Sequence, residues 1–255
     1  MTRFPNQRPS PSSASSQWAG GSLPVAMAPA ETRADFIRKT YLHVAGAVLA
    51  MVGILTAYFT IVPEETQFRV LQTIGGGGMT WLIVLGAYMG VSWLANKWAA
   101  DVGSPGKQYA GLAIYTLAIS LIMIPLLTIA INIPAFAEQN LVLKAAATTL
   151  IVFGGLTAFV FTTGVNFSFL KGITAVGFLI MLAVIVVGVI FGFDLGLWVI
   201  IPMIGLLCAS ILWQTSAVME EYPVGAHVAA ALGLFASLAT LFYYILALFM
   251  RMSDE

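Results

Sequence analysis

Seven apolar stretches, at 41–61, 78–96, 109–131, 145–163, 172–192, 195–216 and 225–250, dominate the chain. Each is long enough to cross about 30 Å of hydrocarbon at about 1.5 Å per residue. A soluble domain would bury such stretches and cover them with charge, but 60% of the residues are hydrophobic and only 9% are charged. The exterior is therefore lipid. The chain reads as an all-α, polytopic integral membrane protein, with the lipid bilayer as its first partner.

Residues 1–35 are rich in Ser, Pro and Ala, carry Arg3 and Arg8 and have no apolar period, so they are expected to form a disordered tail. They lack the basic segment, apolar region and small-residue cleavage site of a secretory signal. The seven-helix domain is expected over 36–251 and a short C-terminal tail over 252–255. Gly192 to Gly196 around Phe193 and Asp194 predicts a tight turn between the fifth and sixth helices, and Gly75 to Gly78 marks the entry to the second. Pro63, Pro105, Pro134 and Pro223 fall in predicted loops, whereas Pro125 and Pro202 lie inside spans and are expected to kink them. Gly86 with Gly90, Gly188 with Gly192 and Ala229 with Gly233 have the small-xxx-small spacing of helix contacts, a pattern that Gly-rich spans also produce by composition alone.

Residues that carry chemistry are few. Two His, His43 and His227, and the single Cys208 cannot assemble a His/Cys zinc cluster or an intrachain disulfide. The metalloprotease pattern H-E-x-x-H, the nucleophile elbow G-x-S-x-G and Gly-rich phosphate loops do not occur. The chain does not read as an enzyme, and no cofactor, metal or nucleic acid is expected. His43 reads as an interfacial residue one turn into the first helix, with a proton relay as the alternative. Cys208 reads as a small packing residue, and Asp194, Glu220 and Glu221 as solvated loop charges. His43 aside, no ionisable residue falls at mid-span, since Lys144, Lys171 and Asp194 lie at predicted ends where they reach water. A proton-coupled pump is disfavoured.

Three blocks, FIRKTYLHVAGAVLAM (36–51), TTGVNFSFLKG (162–172) and ILWQTSAVM (211–219), resemble signatures of the Bax inhibitor-1 family, closest to the bacterial branch typified by YccA. The resemblance runs over about residues 36–250 and implies a bundle whose seventh helix is wrapped by the other six. It also implies two kinds of activity: a calcium leak sensitive to pH, and, in the YccA branch, modulation of the membrane-bound protease FtsH. In the leak proteins an Asp on the sixth helix faces an Asp on the seventh. Aligning ILWQTS with the family's ILYDTS places Trp213 at the Tyr, Gln214 at the first Asp and Thr215 at the Thr; Ser237 falls at the second Asp and Thr240 at a following Asn.

Both acids are thus replaced. In one reading, Gln214 and Ser237 form a neutral hydrogen-bonding pair that holds helices six and seven closed. In the other, Gln214 ends a helix near water and Ser237 bonds its own backbone. Ser237, Thr240 and Tyr244 form one polar stripe on the seventh helix, and Ser210 lies one turn from Gln214. The expected function is a non-enzymatic regulator of membrane protein quality control or stress response, partnered by a membrane-bound AAA+ protease of the FtsH type. The alternative is a calcium or cation leak, with calcium bound weakly at best.

The resemblance implies a bacterial cytoplasmic (inner) membrane location, and the basic residues predict an orientation. Arg3, Arg8, Arg33, Arg38, Lys39, Lys97, Lys107 and Lys171 fall on one side, against Arg69, Lys144 and Arg251 on the other. The N-terminus is expected in the cytoplasm and the C-terminus outside. A reporter active only in the cytoplasm should therefore work when fused before Arg33 and fail after Glu255; activity at both ends would mean that one span does not cross.

Overall fold

The computed structural model describes residues 23–75, 78–192 and 196–253. Inside hydrocarbon every peptide group must find its partner within the chain, and the described residues answer this with helices joined by short connections. After a single 3-10 turn at Val25–Met27 come α1 (Ala30–Ile61), α2 (Glu64–Gly75), α3 (Gly78–Ala99), α4 (Pro105–Asn132), α5 (Pro134–Ala137), α6 (Leu141–Thr163), α7 (Leu170–Phe191), α8 (Gly196–Glu220) and α9 (His227–Ser253). All but α2 and α5 are long and apolar enough to span a membrane, in agreement with the seven predicted stretches.

The ends of these elements correct several expectations. The tail predicted to reach Asp35 stops sooner, because α1 begins at Ala30 and Val25 is fully buried. Leu23 and Val25 supply the reason: their backbone pairs with the loop before α9, Val25 N–H donating to the Tyr222 carbonyl at 2.9 Å and Val224 N–H to the Leu23 carbonyl at 2.9 Å. At the other end α9 runs to Ser253, past the expected boundary at 252. The turn residues Phe193, Asp194 and Leu195 and the tail up to Ser22 lie outside the described residues. At 32 residues α1 is about 48 Å long, so its first turns project beyond the hydrocarbon. Helices α4 and α8 continue through Pro125 and Pro202.

Helix α2 occupies a stretch predicted to be loop. Its 12 residues are too few to span, and Glu64 and Glu65 sit where the helix dipole favours acids. Buried Gln67 fixes it, donating to the Val62 carbonyl at 2.8 Å and accepting from Asn132 Nδ2 at 2.8 Å, which ties α2 to the end of α4.

Helix α9 is central. It packs on α1, α3, α4, α6 and α8, and Val228, Ala231, Leu234, Phe235, Leu241 and Leu246 along it are fully buried. Helix α7 stands outside this ring, packed on α8 and α3; Tyr244 of α9 reaches the small cluster of Met181, Val199 and Met203 that α7 and α8 share. Between α1 and α6 lies an apolar cleft of about 700 Å³, floored by Leu238, Ala239 and Phe242 of α9.

Close backbone approach occurs where the small-residue pairs did not place it. A Cβ at Gly86 or Gly90 would meet nothing within 4 Å, whereas one at Gly111 would lie 2.5 Å from the Ala95 carbonyl oxygen and 2.9 Å from the Ala99 nitrogen. Ala95 and Ala99 are both buried, so α3 and α4 touch through backbone. Gly111→Ala should accordingly cost about 1–3 kcal/mol of stability in detergent unfolding. Gly86→Ala should be neutral or better in the same assay, and equal effects at the two sites would contradict this packing.

Candidate functional site

The three sequence blocks converge at one end of the bundle. The first contributes the start of α1, the second the loop between α6 and α7 with the start of α7, and the third the latter half of α8. Tyr41 stacks near Phe161 with ring centroids 5.8 Å apart, and Phe36 packs against Tyr222 at 6.5 Å. Lys171 lies over the Trp213 ring at 5.6 Å. Gly164, at φ 62°, ends α6 in the left-handed conformation that Gly adopts cheaply. The chain then turns onto α8, where Phe167 N–H donates to Ser216 Oγ at 3.0 Å and Asn166 Nδ2 donates to the Glu220 carboxylate. Glu220 is thus engaged, not merely solvated as its sequence position suggested.

Gln214 and Ser237 meet. Gln214 is buried two turns inside the end of α8, and its amide nitrogen donates to Ser210 Oγ at 2.8 Å and to Ser237 Oγ at 2.9 Å. The two serine hydroxyls are 3.2 Å apart, and both are buried. One neutral amide therefore uses both of its protons on the interface between α8 and α9. Its Oε1 is buried without a hydrogen-bond partner, on the side of Gly233, where a Cβ would come within 3.6 Å of it. Gly233 thus faces α8, as its small-residue spacing suggested, though at an ordinary van der Waals distance that a Cβ would tolerate, while Ala229 is packed against the core beside it.

The other two candidate residues go elsewhere. Thr240 donates to the Ala236 carbonyl of its own helix at 2.8 Å and does not join the amide. Thr215 is fully buried and faces Tyr41 and Thr157; the three hydroxyls gather between α8, α1 and α6 without closing a well-formed hydrogen bond among them. Tyr222, in the loop after α8, has its hydroxyl pushed up to about 12 by burial and by the neighbouring Glu221 carboxylate. It stays neutral at any physiological pH. Ser210 was marked in the sequence as lying one turn from Gln214, whereas Ser216 and Asn166 were not singled out; their one sequence signal is that the blocks containing them belong to the same resemblance.

The pair of histidines was not anticipated. His43 and His227 have ring centroids 5.0 Å apart, and His43 Nε2 lies 3.3 Å from the Tyr109 hydroxyl. His227 opens α9, so only the fold brings it beside α1.

A family model described as inhibitor of apoptosis-promoting Bax1 matches residues 33–254. The chain belongs to the Bax inhibitor-1 family. It is 29% identical over 170 residues to an uncharacterized protein of Pseudomonas aeruginosa, a match covering 66% of this chain and 72% of that one. No solved structure matches the chain significantly. This Bax inhibitor-1 family protein therefore carries an amide and a hydroxyl where the resemblance implies two acids. A double-mutant cycle with Gln214→Ala and Ser237→Ala, read by unfolding in detergent, should give a coupling of about 0.6–1.7 kcal/mol, the range for hydrogen bonds between membrane helices. A coupling of zero would mean that the contact contributes no stability.

Proposed function

We propose that this Bax inhibitor-1 family protein is a non-enzymatic regulator of membrane protein quality control, similar to the YccA branch, and that it acts on a membrane-bound AAA+ protease of the FtsH type. The observation that carries this reading is the neutral network of Gln214, Ser210 and Ser237. Two facing carboxylates in a low-dielectric site share a proton, and their coupled titration can open or close a helix contact as pH changes. An amide and two hydroxyls do not titrate near neutrality, so the α8–α9 interface here has no such switch. Calcium, a hard cation, prefers several oxygens including carboxylates, and this site offers neutral ones. The Ser/Pro-rich sequence before Leu23 is the proposed handle for the protease, on the cytoplasmic side of a bacterial inner membrane.

A second reading, a weak cation leak, draws on the buried and unpartnered Gln214 Oε1. One comparison separates the two. Removing the protein from cells should change the lifetime of membrane substrates of the AAA+ protease, while calcium flux through purified protein in phosphatidylcholine liposomes stays low and within about twofold between pH 6 and 8. Gln214→Asp with Ser237→Asp should introduce a pH dependence that neither change produces alone, because one acid has no like charge to repel it. Unchanged lifetimes together with a large wild-type flux would replace the regulator by the leak.

A further inference from the structure

The α1–α6 cleft of about 700 Å³ opens through the outer face of the bundle. Exposed Val52, Ile131, Leu143 and Leu150 form its rim, large apolar side chains on spans, where exposed positions face lipid. The cleft is therefore continuous with the lipid-facing surface of the protein. Along α1 it runs from Val48, near the middle of the helix, to Thr60 in its last turn. That is about 18 Å at about 1.5 Å per residue, a little over half of the roughly 30 Å hydrocarbon core. Its floor of Leu238, Ala239 and Phe242 lies midway along α9, and its other end reaches Ala137 and Asn140 at the turn before α6. The cleft thus spans one leaflet, from the middle of the bundle to its surface.

The lining offers a ligand no charge. None of its residues is ionisable, Thr60 Oγ1 donates to the Thr56 carbonyl at 2.8 Å, and Thr149 Oγ1 donates to the Ala145 carbonyl at 2.7 Å. At the surface end stands Asn140, a neutral amide, so the lining itself does not sort headgroups by charge. A helix from another protein is poorly matched to this rim. Contact between membrane helices rests on small residues that let backbones approach, and Val52, Ile131, Leu143 and Leu150 hold a neighbouring backbone away. A flexible hydrocarbon chain meets no such obstacle. Helices α1 and α6 have little direct contact, so their facing side chains gain dispersion contacts from whatever lies between them. The bilayer supplies acyl chains at the mouth.

We propose that the α1–α6 cleft holds one acyl chain of a bilayer phospholipid, seated on α9 and recognised by its chain and not by its headgroup. Full-length protein, delipidated in detergent and titrated under native mass spectrometry, tests this through the first lipid to bind. Long-chain phosphatidylcholine and phosphatidylglycerol should bind with affinities within about twofold of each other. A short-chain phosphatidylcholine, unable to reach from the turn at Asn140 to Phe242, should bind several-fold more weakly. Ala146→Phe fills the cleft and should lose this first lipid, whereas Ala147→Phe, at the adjacent exposed position of α6 that does not line the cleft, should keep it. Photolabelling reads the unaltered protein. Phosphatidylcholine with a diazirine at the end of one acyl chain should label Phe242, and the same group on the headgroup should not. Undiminished binding by Ala146→Phe, equal binding of long and short chains, a strong headgroup preference, or no chain-end label on Phe242 would each overturn the assignment. So would a dimer of the delipidated protein that Ala146→Phe abolishes, which would give the cleft to a helix of a second copy.

Discussion

The bundle depends on how α9 is held inside it. Lipid tails are as apolar as leucine, so burying an apolar helix among others gains little from water exclusion, and contact between helices rests on close packing and a few hydrogen bonds. Helix α9 meets both needs. Ala230, Ala231 and Ala239 are essentially inaccessible, and Gly233 sits under the Gln214 side chain, so α9 brings small residues to its neighbours. Gln214, donating at once to its own helix and to Ser237, adds a directional bond that favours a single register of α8 against α9. A shift of one residue would turn Ser237 away and leave the amide with Ser210 alone.

Replacing facing acids by this network changes what the core can respond to. An amide holds its hydrogen bonds unchanged across physiological pH, so protonation cannot loosen the contact. Titratable chemistry instead sits at the end of the bundle, where Lys39, Asp35, His43 and His227 surround the start of α1 and α9. The centre of the molecule and its rim are thus chemically separate, with neutral amide and hydroxyl groups within and ionisable side chains at the end.

The seven spans were legible because hydrocarbon thickness dictates a length that apolar runs display directly. Helix α2 was not, since its apolar residues are interrupted by Gln67 and Arg69 and its stability comes from a bond to Asn132, 65 residues away in sequence. Small-residue spacing pointed to Gly86 and Gly90, yet the backbone contact formed at Gly111, because spacing within one helix does not say which face a neighbour will cover. The meeting of Gln214 with Ser237 was legible only through alignment with a family pattern. His227 went unread because an isolated His at a predicted helix start looks like any interfacial residue until the fold sets another beside it. The early end of the tail was hidden as well, since Leu23 and Val25 are too few to make a periodic signal and acquire their meaning from the loop around Tyr222.

The position of α9 also has a consequence in time. It follows every other span in the chain, so a ribosome releases its neighbours into the bilayer before the helix they are shaped to surround. Until then Ser210 and Gln214 on α8 lack the Ser237 hydroxyl, and α1 and α6 have little direct contact to draw them together. Assembly of the interior is therefore a late, nearly all-at-once event triggered from the C-terminal side. A nascent chain stalled before His227 would leave Gln214 with Ser210 alone and the cleft between α1 and α6 without its floor of Leu238, Ala239 and Phe242.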